Sequence, residues 1–377
     1  MGINNFTKFF AKCIEERNFT DYSGNIVVVD ALTQIYKYII GIRSLGKDIL
    51  NKDGKSQSHL YAIYNYTLLL ERIGLMPIYV FDNKKTDAIK TETLNIRKKI
   101  KKEAFKQCKK IDDKTSKEYI NNFKRSVYLE DSQILDCKRL LKAMGIPYVQ
   151  SIGEADSQCA VISQYSKKIV GVISDDTDLL VFGSKLLIRE FSGSKKKVTQ
   201  ISYTKIMEFL NNKHKGFTHN NFIDICILFG SPYTEHISGI DCFSMFDYYL
   251  ESGLNVEKTL DIIVNLNNIK YKIPENFMEQ YSKAFDYYKN TMVIDPKILN
   301  INMSKPNISE IKNIMCEENS FKEENIIKLS SELNDMYDFF QEVMNDKHTS
   351  FNSYRLKHFY TRRNISRYKE GKLEIMT

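Results

Sequence analysis

The stretch Ile26-Val27-Val28-Val29-Asp30 decides the fold. Four consecutive β-branched residues suit a strand buried on both faces, which is what a parallel sheet demands. A helical pattern through Ile35, Tyr36, Ile39 and Ile40 follows at once. The same unit recurs along the chain. Ile78-Tyr79-Val80-Phe81 comes after a helix-like stretch from Tyr61 to Ile73, closed by Gly74. Ile146-Pro147-Tyr148-Val149 leads into a helix from about Gly153, and Ile169–Ile173 and Leu186–Ile188 add two more strands. Short apolar strands alternating with helices predict an α/β fold whose central, mostly parallel sheet is flanked by helices. After about Ser202 the pattern turns mostly helical.

The acids sit where such a sheet is useful. Asp30 directly follows one strand and Asp82 follows another. Asp175, Asp176 and Asp178 follow Ile169–Ile173, and Glu154 and Asp156 open the helix after Ile146–Val149. In an open parallel sheet the reactive crevice lies outside the carboxyl ends of the strands. Gathered carboxylates repel one another unless a cation joins them. Oxygen donors without His or Cys favour Mg²⁺ or Mn²⁺ over zinc, and this many acids suit two ions. Two ions about 3.5–4 Å apart can activate water and stabilise a phosphodiester's leaving oxygen. Each acid alone has a plainer reading as a turn residue or helix cap, and Ser151-Ile152-Gly153-Glu154 fits a capping box.

Charge supplies the partner. The chain has 377 residues and a net charge of +8. Between Lys84 and Arg125 stand fifteen Lys/Arg against six Asp/Glu, a local +9, which leaves the other 335 residues at −1. A basic segment on a near-neutral body points to a polyanion, with nucleic acid first. Within it Ile96, Ile100, Ala104 or Phe105, Cys108 and Ile111 form a narrow apolar stripe at helical spacing, and a second helix runs through Tyr119, Phe123 and Val127. Together they read as a helical insert projecting from the body. A hydrophobic content of 42% excludes disorder. No apolar run reaches the ~18 residues of a membrane span, and Met1–Phe6 lacks the start of a secretory signal. Seven scattered cysteines with no C-x-x-C argue against a disulfide framework or zinc ribbon and for a reduced intracellular setting. No Gly-rich phosphate loop is present, which counts against a nucleotide-binding enzyme.

These residues resemble the flap endonucleases over roughly positions 1–340. The resemblance is carried by Met1-Gly2-Ile3, Val28-Val29-Asp30-Ala31 with Ile35-Tyr36, Ser58-His59-Leu60, Pro77–Asp82 and Met144-Gly145-Ile146-Pro147-Tyr148. It continues through Gly153-Glu154-Ala155-Asp156, Ser174-Asp175-Asp176-Thr177-Asp178, Phe182-Gly183-Ser184 and Cys226–Ser231. It implies a Mg²⁺-dependent nuclease, with Mn²⁺ as substitute, that holds two ions on Asp30, Asp82, Glu154, Asp156, Asp176 and Asp178. It implies that Lys90 and Arg97 clamp the scissile phosphate; seven apart, they share one helix face. Tyr36 would stack a base, Gly2 would bring the N-terminus near DNA, and Gly239 would sit on the duplex-binding loop. The implied substrate is branched DNA with a 5′ flap, cut endonucleolytically and trimmed exonucleolytically by a monomer in replication and repair. The implied organisation is an N-terminal nuclease region (1–83), a basic helical arch (84–131), an internal nuclease region with a degenerate helix-turn-helix loop (132–250) and a helical C-terminal part (251–340); beyond the resemblance, the alternating basic and aromatic residues of 341–377 read as a basic, mobile tail.

Three departures bear on activity. The family's Gly-Ser-Asp-Tyr is here Gly230-Ser231-Pro232-Tyr233, so a seventh carboxylate is replaced by a residue that binds nothing, with Glu235 or a water as candidate replacement. The duplex loop reads Gly239-Ile240-Asp241-Cys242-Phe243-Ser244, placing a negative charge where phosphates are expected. The sliding-clamp box is represented by Leu333–Phe340, which has the aromatic pair but lacks its Gln, and the same pair reads equally well as part of a helical core. The alternative class is therefore a weakened or inactive nuclease that only binds DNA.

Overall fold

The structure is a computed structural model. It describes residues 2–83, 91–190 and 197–344, apart from the side chains at 91–95, 97, 327–331 and 343–344. One seven-stranded sheet runs through the molecule: β1 (Ile14–Asn18), β2 (Asn25–Asp30), β3 (Leu75–Phe81), β4 (Tyr148–Gln150), β5 (Ile169–Ile173), β6 (Leu186–Arg189) and β7 (Lys197–Ser202). Their order is β1-β7-β6-β5-β2-β3-β4. The five strands from β6 to β4 are mutually parallel, and β7 is antiparallel to both β6 and β1. The mostly parallel α/β expectation holds. Every residue of β3 and all but the first of β2 are buried, as continuous apolar runs require.

β1 and β7 are additions to the expected set. Their sequences, Ile14-Glu15-Glu16-Arg17-Asn18 and Lys197–Ser202, are polar and charged, with no apolar run to mark them. Polar pairs join them instead: Gln200 donates to Glu15 at 2.7 Å, and Lys197 pairs with Glu16. The central strands carry helices that bring the rest of the chain to the sheet. Helix Ala155–Tyr165 packs on β2, β3 and β5, and helix Ser58–Ile73 packs on β3, on Ala31–Arg43 and on Asp131–Ala143.

The insert forms two helices, Thr91–Cys108 and Lys117–Arg125, packed on each other. Of the apolar stripe, Ala104 is buried while Ile96, Ile100 and Phe105 are exposed. The second helix is fastened to Ala31–Arg43 by Arg43. Its guanidinium lies 4.4 Å from the Phe123 ring centroid, donates to Phe123 O and Ser126 Oγ at 3.2 Å each, and pairs with Asp48 at 3.1 Å.

Leu333–Phe340 lies inside the helix Glu323–Met344. Leu333, Met336, Phe339 and Phe340 are buried in the core. The helix packs on Ser58–Ile73, with Arg72 paired to Glu332 at 2.7 Å and Tyr64 donating to Ile326 O at 3.2 Å. Of the two readings of this segment the core helix is the one the structure bears out: Leu333, Met336, Phe339 and Phe340 are packed inside and are not free to dock a clamp. The tail from 345 onward lies outside the described residues. Among the described residues no helix is long and apolar enough to cross a membrane.

Candidate active site at the carboxyl edge of the sheet

Three neighbouring parallel strands, β5, β2 and β3, end at one edge, and each delivers an acid there. Val29 of β2 is level with Ile173 of β5, and Asp30 is level with Val80 of β3. Asp30 thus stands at the level where its neighbours end. It also caps the following helix, accepting from Thr33 N at 3.2 Å. Asp82 Oδ1 accepts from Ala155 N at 2.6 Å, which ties the end of β3 to the start of the Glu154-Ala155-Asp156 helix. Asp176 Oδ1 accepts from Asp178 N at 3.2 Å. The capping reading is correct for Asp30; the box expected at Ser151–Glu154 does not form, since Glu154 itself occupies the N-cap position of the helix Ala155–Tyr165 with no side-chain cap, and Ser151 Oγ donates to Phe81 O at 2.9 Å and Gly153 O at 2.6 Å.

Electrostatics show that the six acids share a region. Burial first, then the charges of Asp82 and Asp176, push the Asp30 carboxyl well above the ordinary carboxylate range. The buried Cys159 thiol is raised by burial and then by the charges of Asp30, Asp156 and Asp82. Burial raises the Tyr233 phenol, and among the nearby charges are Glu154 and Asp178; Tyr288 similarly feels Asp178 and Asp176. Asp30, Glu154 and Asp178 are buried, Asp156 and Asp176 are half-buried, and Asp82 is exposed. One oxygen of Asp156 and one of Asp178 are shielded from solvent. An all-oxygen donor set with a raised, like-charged member suits a hard divalent cation. The acids stand apart, however: among the described residues no three His, Cys, Asp or Glu side chains close into a group that could hold an ion as they stand.

The other expected site residues fall around this edge in different ways. Gly2 has φ +109°, and a Cβ there would lie 2.7 Å from Asp176 Oδ1 and 2.3 Å from Thr177 Oγ1. Only glycine fits so close an approach, and Ile3 N donates to Thr177 Oγ1 at 2.9 Å. The start of the chain therefore lies against the acids. Tyr36 is half-buried, with the Lys101 ammonium of the insert 4.3 Å above its ring. Lys90 and the Arg97 side chain lie outside the described residues; the Arg97 backbone belongs to the helix Thr91–Cys108.

The departures also have structural counterparts. Gly239, at φ +91°, faces the Lys270 carbonyl, which would stand 2.0 Å from a Cβ. Asp241 caps the helix Cys242–Glu251, accepting from Phe243 N at 2.9 Å, Ser244 N at 3.3 Å and Ser244 Oγ at 2.7 Å. Glu235 does not replace the acid missing at Pro232. It is exposed, and it exchanges hydrogen bonds with Gln280 at 2.7 and 2.8 Å.

Residues that the sequence reading assigned no role also bear on the site. Lys37 pairs with Asp175 at 2.7 Å, and Asp175 also accepts from Glu190 N at 2.8 Å. Arg43 anchors the insert; its signal was its position seven residues after Tyr36, two turns along the same helix face. Tyr233 donates to Glu154 Oε2 at 3.0 Å.

Comparison with known proteins agrees with this geometry. Residues 1–104 match the model of the XPG N-terminal domain, and residues 145–232 match the XPG I-region. The chain is similar to flap endonuclease 1 of Glycine max, with 34% identity over 338 residues, covering 87% of this chain and 85% of that protein. Its fold resembles that of the flap endonuclease-1 of Methanococcus jannaschii, with a TM-score of 0.64 and 23% identity over 87% of this chain and 98% of that one. It also resembles the catalytic core of Rad2 in complex with DNA substrate, with a TM-score of 0.66 and 20% identity over 88% of this chain and all of that one.

Proposed function

This chain belongs to the flap endonuclease family, and on that premise we propose how it works as a structure-specific 5′-flap endonuclease. The observation that carries the reading is the delivery of Asp30, Asp82 and Asp176 to one sheet edge by three adjacent strands, close enough that Asp30 feels both other charges. The activity depends on divalent metal. The finer proposal is two Mg²⁺ ions, replaceable by Mn²⁺, held by Asp30, Asp82, Glu154, Asp156, Asp176 and Asp178. When bound, such a pair supplies a water made nucleophilic at neutral pH and a counter-charge for the leaving oxygen.

The chain's own residues do the rest. The fifteen Lys/Arg of 84–125 draw the phosphate backbone toward the edge and release its counterions. Lys90 and Arg97 clamp the scissile phosphate, a job suited to a point charge and a planar fork respectively. Tyr36 supports the adjoining base, and Lys101 must leave one ring face for it to stack there. The same machinery would trim 5′ ends exonucleolytically. A docked sliding clamp is not part of the proposal, because Leu333–Phe340 is core.

The test is a labelled 5′-flap duplex incubated with MgCl₂. Expected are a metal-dependent product, its loss in EDTA, and its loss in D178N with DNA binding retained. Tight binding without product in either Mg²⁺ or Mn²⁺ would select the DNA-binding alternative that Pro232 motivates. P232D is expected to raise the cleavage rate at limiting Mg²⁺; an unchanged rate would mean that another group already serves.

A further inference from the structure

We propose that Tyr233 is a positioning residue that sets Glu154 for metal, and that through it the 230–233 segment still contributes to the site although the carboxylate at Pro232 is missing. The proposal rests on the functional reading above. It begins with a buried pair: the Tyr233 phenol donates to Glu154 Oε2 at 3.0 Å across 79 residues of sequence. Both residues are buried, so the bond is shielded from competing water. A hydrogen bond from a neutral donor to one oxygen of a buried carboxyl group fixes the plane of that group. A carboxylate so held loses little freedom when it takes a cation. Outer partners of this kind typically alter metal affinity by about 10- to 100-fold.

The phenol is itself held. The Tyr233 ring centroid is 4.8 Å from that of Tyr287 and 5.1 Å from that of Tyr288. Phe182 closes the box at 6.0 and 5.0 Å from the same two rings. Four rings in tilted and edge contact leave the Tyr233 side chain one orientation. The backbone is fixed as well. Asn4 N donates to Gly230 O at 3.0 Å, Tyr233 N donates to Ser231 Oγ at 3.0 Å, and Pro232 restricts the turn between them. The segment therefore aims a neutral donor at an acid and adds no charge of its own. Glu235 is turned to Gln280 and takes no part.

The test is calorimetric titration of MnCl₂ into the metal-stripped full-length chain without DNA, paired with thermal unfolding to compare the folds. Wild type is expected to bind Mn²⁺ saturably, and Y233F about tenfold more weakly. Y287F, whose phenol is not the one bonded to Glu154, is expected to stay within twofold of wild type. In a double-mutant cycle, E154Q with Y233F is expected to bind no more weakly than E154Q alone, because Tyr233 acts through Glu154. Unchanged affinity in Y233F overturns the proposal. So does a further tenfold loss on adding Y233F to E154Q, or an equal loss in Y287F, since either would mean that the box matters only as packing. If wild type binds Mn²⁺ and cuts flaps while Y233F matches it, only the Tyr233 assignment falls. If wild type binds no Mn²⁺, the functional reading falls and takes this proposal with it.

Discussion

Asp241 puts a full negative charge on a helix end that is otherwise electropositive, and its carboxylate occupies Phe243 N and Ser244 N. Asn caps about as well as Asp but carries no charge. D241N is therefore expected to keep the unfolding free energy within about 0.5 kcal/mol while tightening duplex binding at low salt, read by fluorescence anisotropy; unchanged affinity at every salt concentration would show that DNA does not approach this loop. Glu71 makes a different point. It is buried inside the helix Ser58–Ile73, and burial, with Glu332 adding to it against Arg72, pushes its carboxyl well above the ordinary range. The folded state then holds a proton that the unfolded chain releases near pH 4.3. Stability from this group is present below that pH and is lost as pH rises, at up to about 1.4 kcal/mol per unit, until the folded carboxyl ionises. E71Q removes the slope, so its advantage over wild type in urea unfolding is expected to grow from pH 5 to pH 8. A constant difference across that range would contradict a protonated Glu71. Neither residue's environment is legible in the sequence: nothing there singles out Glu71, and Asp241 reads as a charge opposed to phosphate, because capping and burial are set by tertiary placement.

At the scale of elements, Arg43 is a main seat of the insert, beside the Lys101 contact on Tyr36. Arg43 joins Ala31–Arg43 to Lys117–Arg125 through a ring contact, two hydrogen bonds and the Asp48 pair. R43A is expected to cost about 2 kcal/mol. It should also speed the first tryptic cut within 109–125, mapped by mass spectrometry, and lower kcat/KM on flap DNA. R43K keeps the charge but not the fork or the stack and should recover only part. Trypsin sensitivity equal to wild type in R43A would mean that other contacts seat the insert. The two insert helices were legible from periodicity, although the second ends at Arg125 short of the expected Val127, as were all five strands from β2 to β6, since continuous apolar runs leave a buried strand little alternative. β1 and β7 were not, because their pairing relies on Glu15, Glu16, Lys197 and Gln200, which read as solvated polar residues. Leu333–Phe340 reads equally as a docking box or a core pair because an exposed aromatic pair and a buried one look alike in a sequence; only the packing on Ser58–Ile73 separates them.

At the scale of the whole molecule, charge is divided into a basic insert and an acidic sheet edge, and the proposed mechanism requires that both meet the same phosphate. The acids were legible one strand at a time. Their convergence followed from the parallel topology, and the tilt of each side chain toward a shared ion did not. The fold brings them to one edge, and among the described residues no three of them form a group that would hold an ion as they stand. The most direct measurement is anomalous diffraction from crystals of the full chain grown with MnCl₂. Expected are two Mn²⁺ peaks about 3.5–4 Å apart, ligated from among Asp30, Asp82, Glu154, Asp156, Asp176 and Asp178. Saturating Mn²⁺ with no peak at that edge, or peaks held only by other residues, would contradict it.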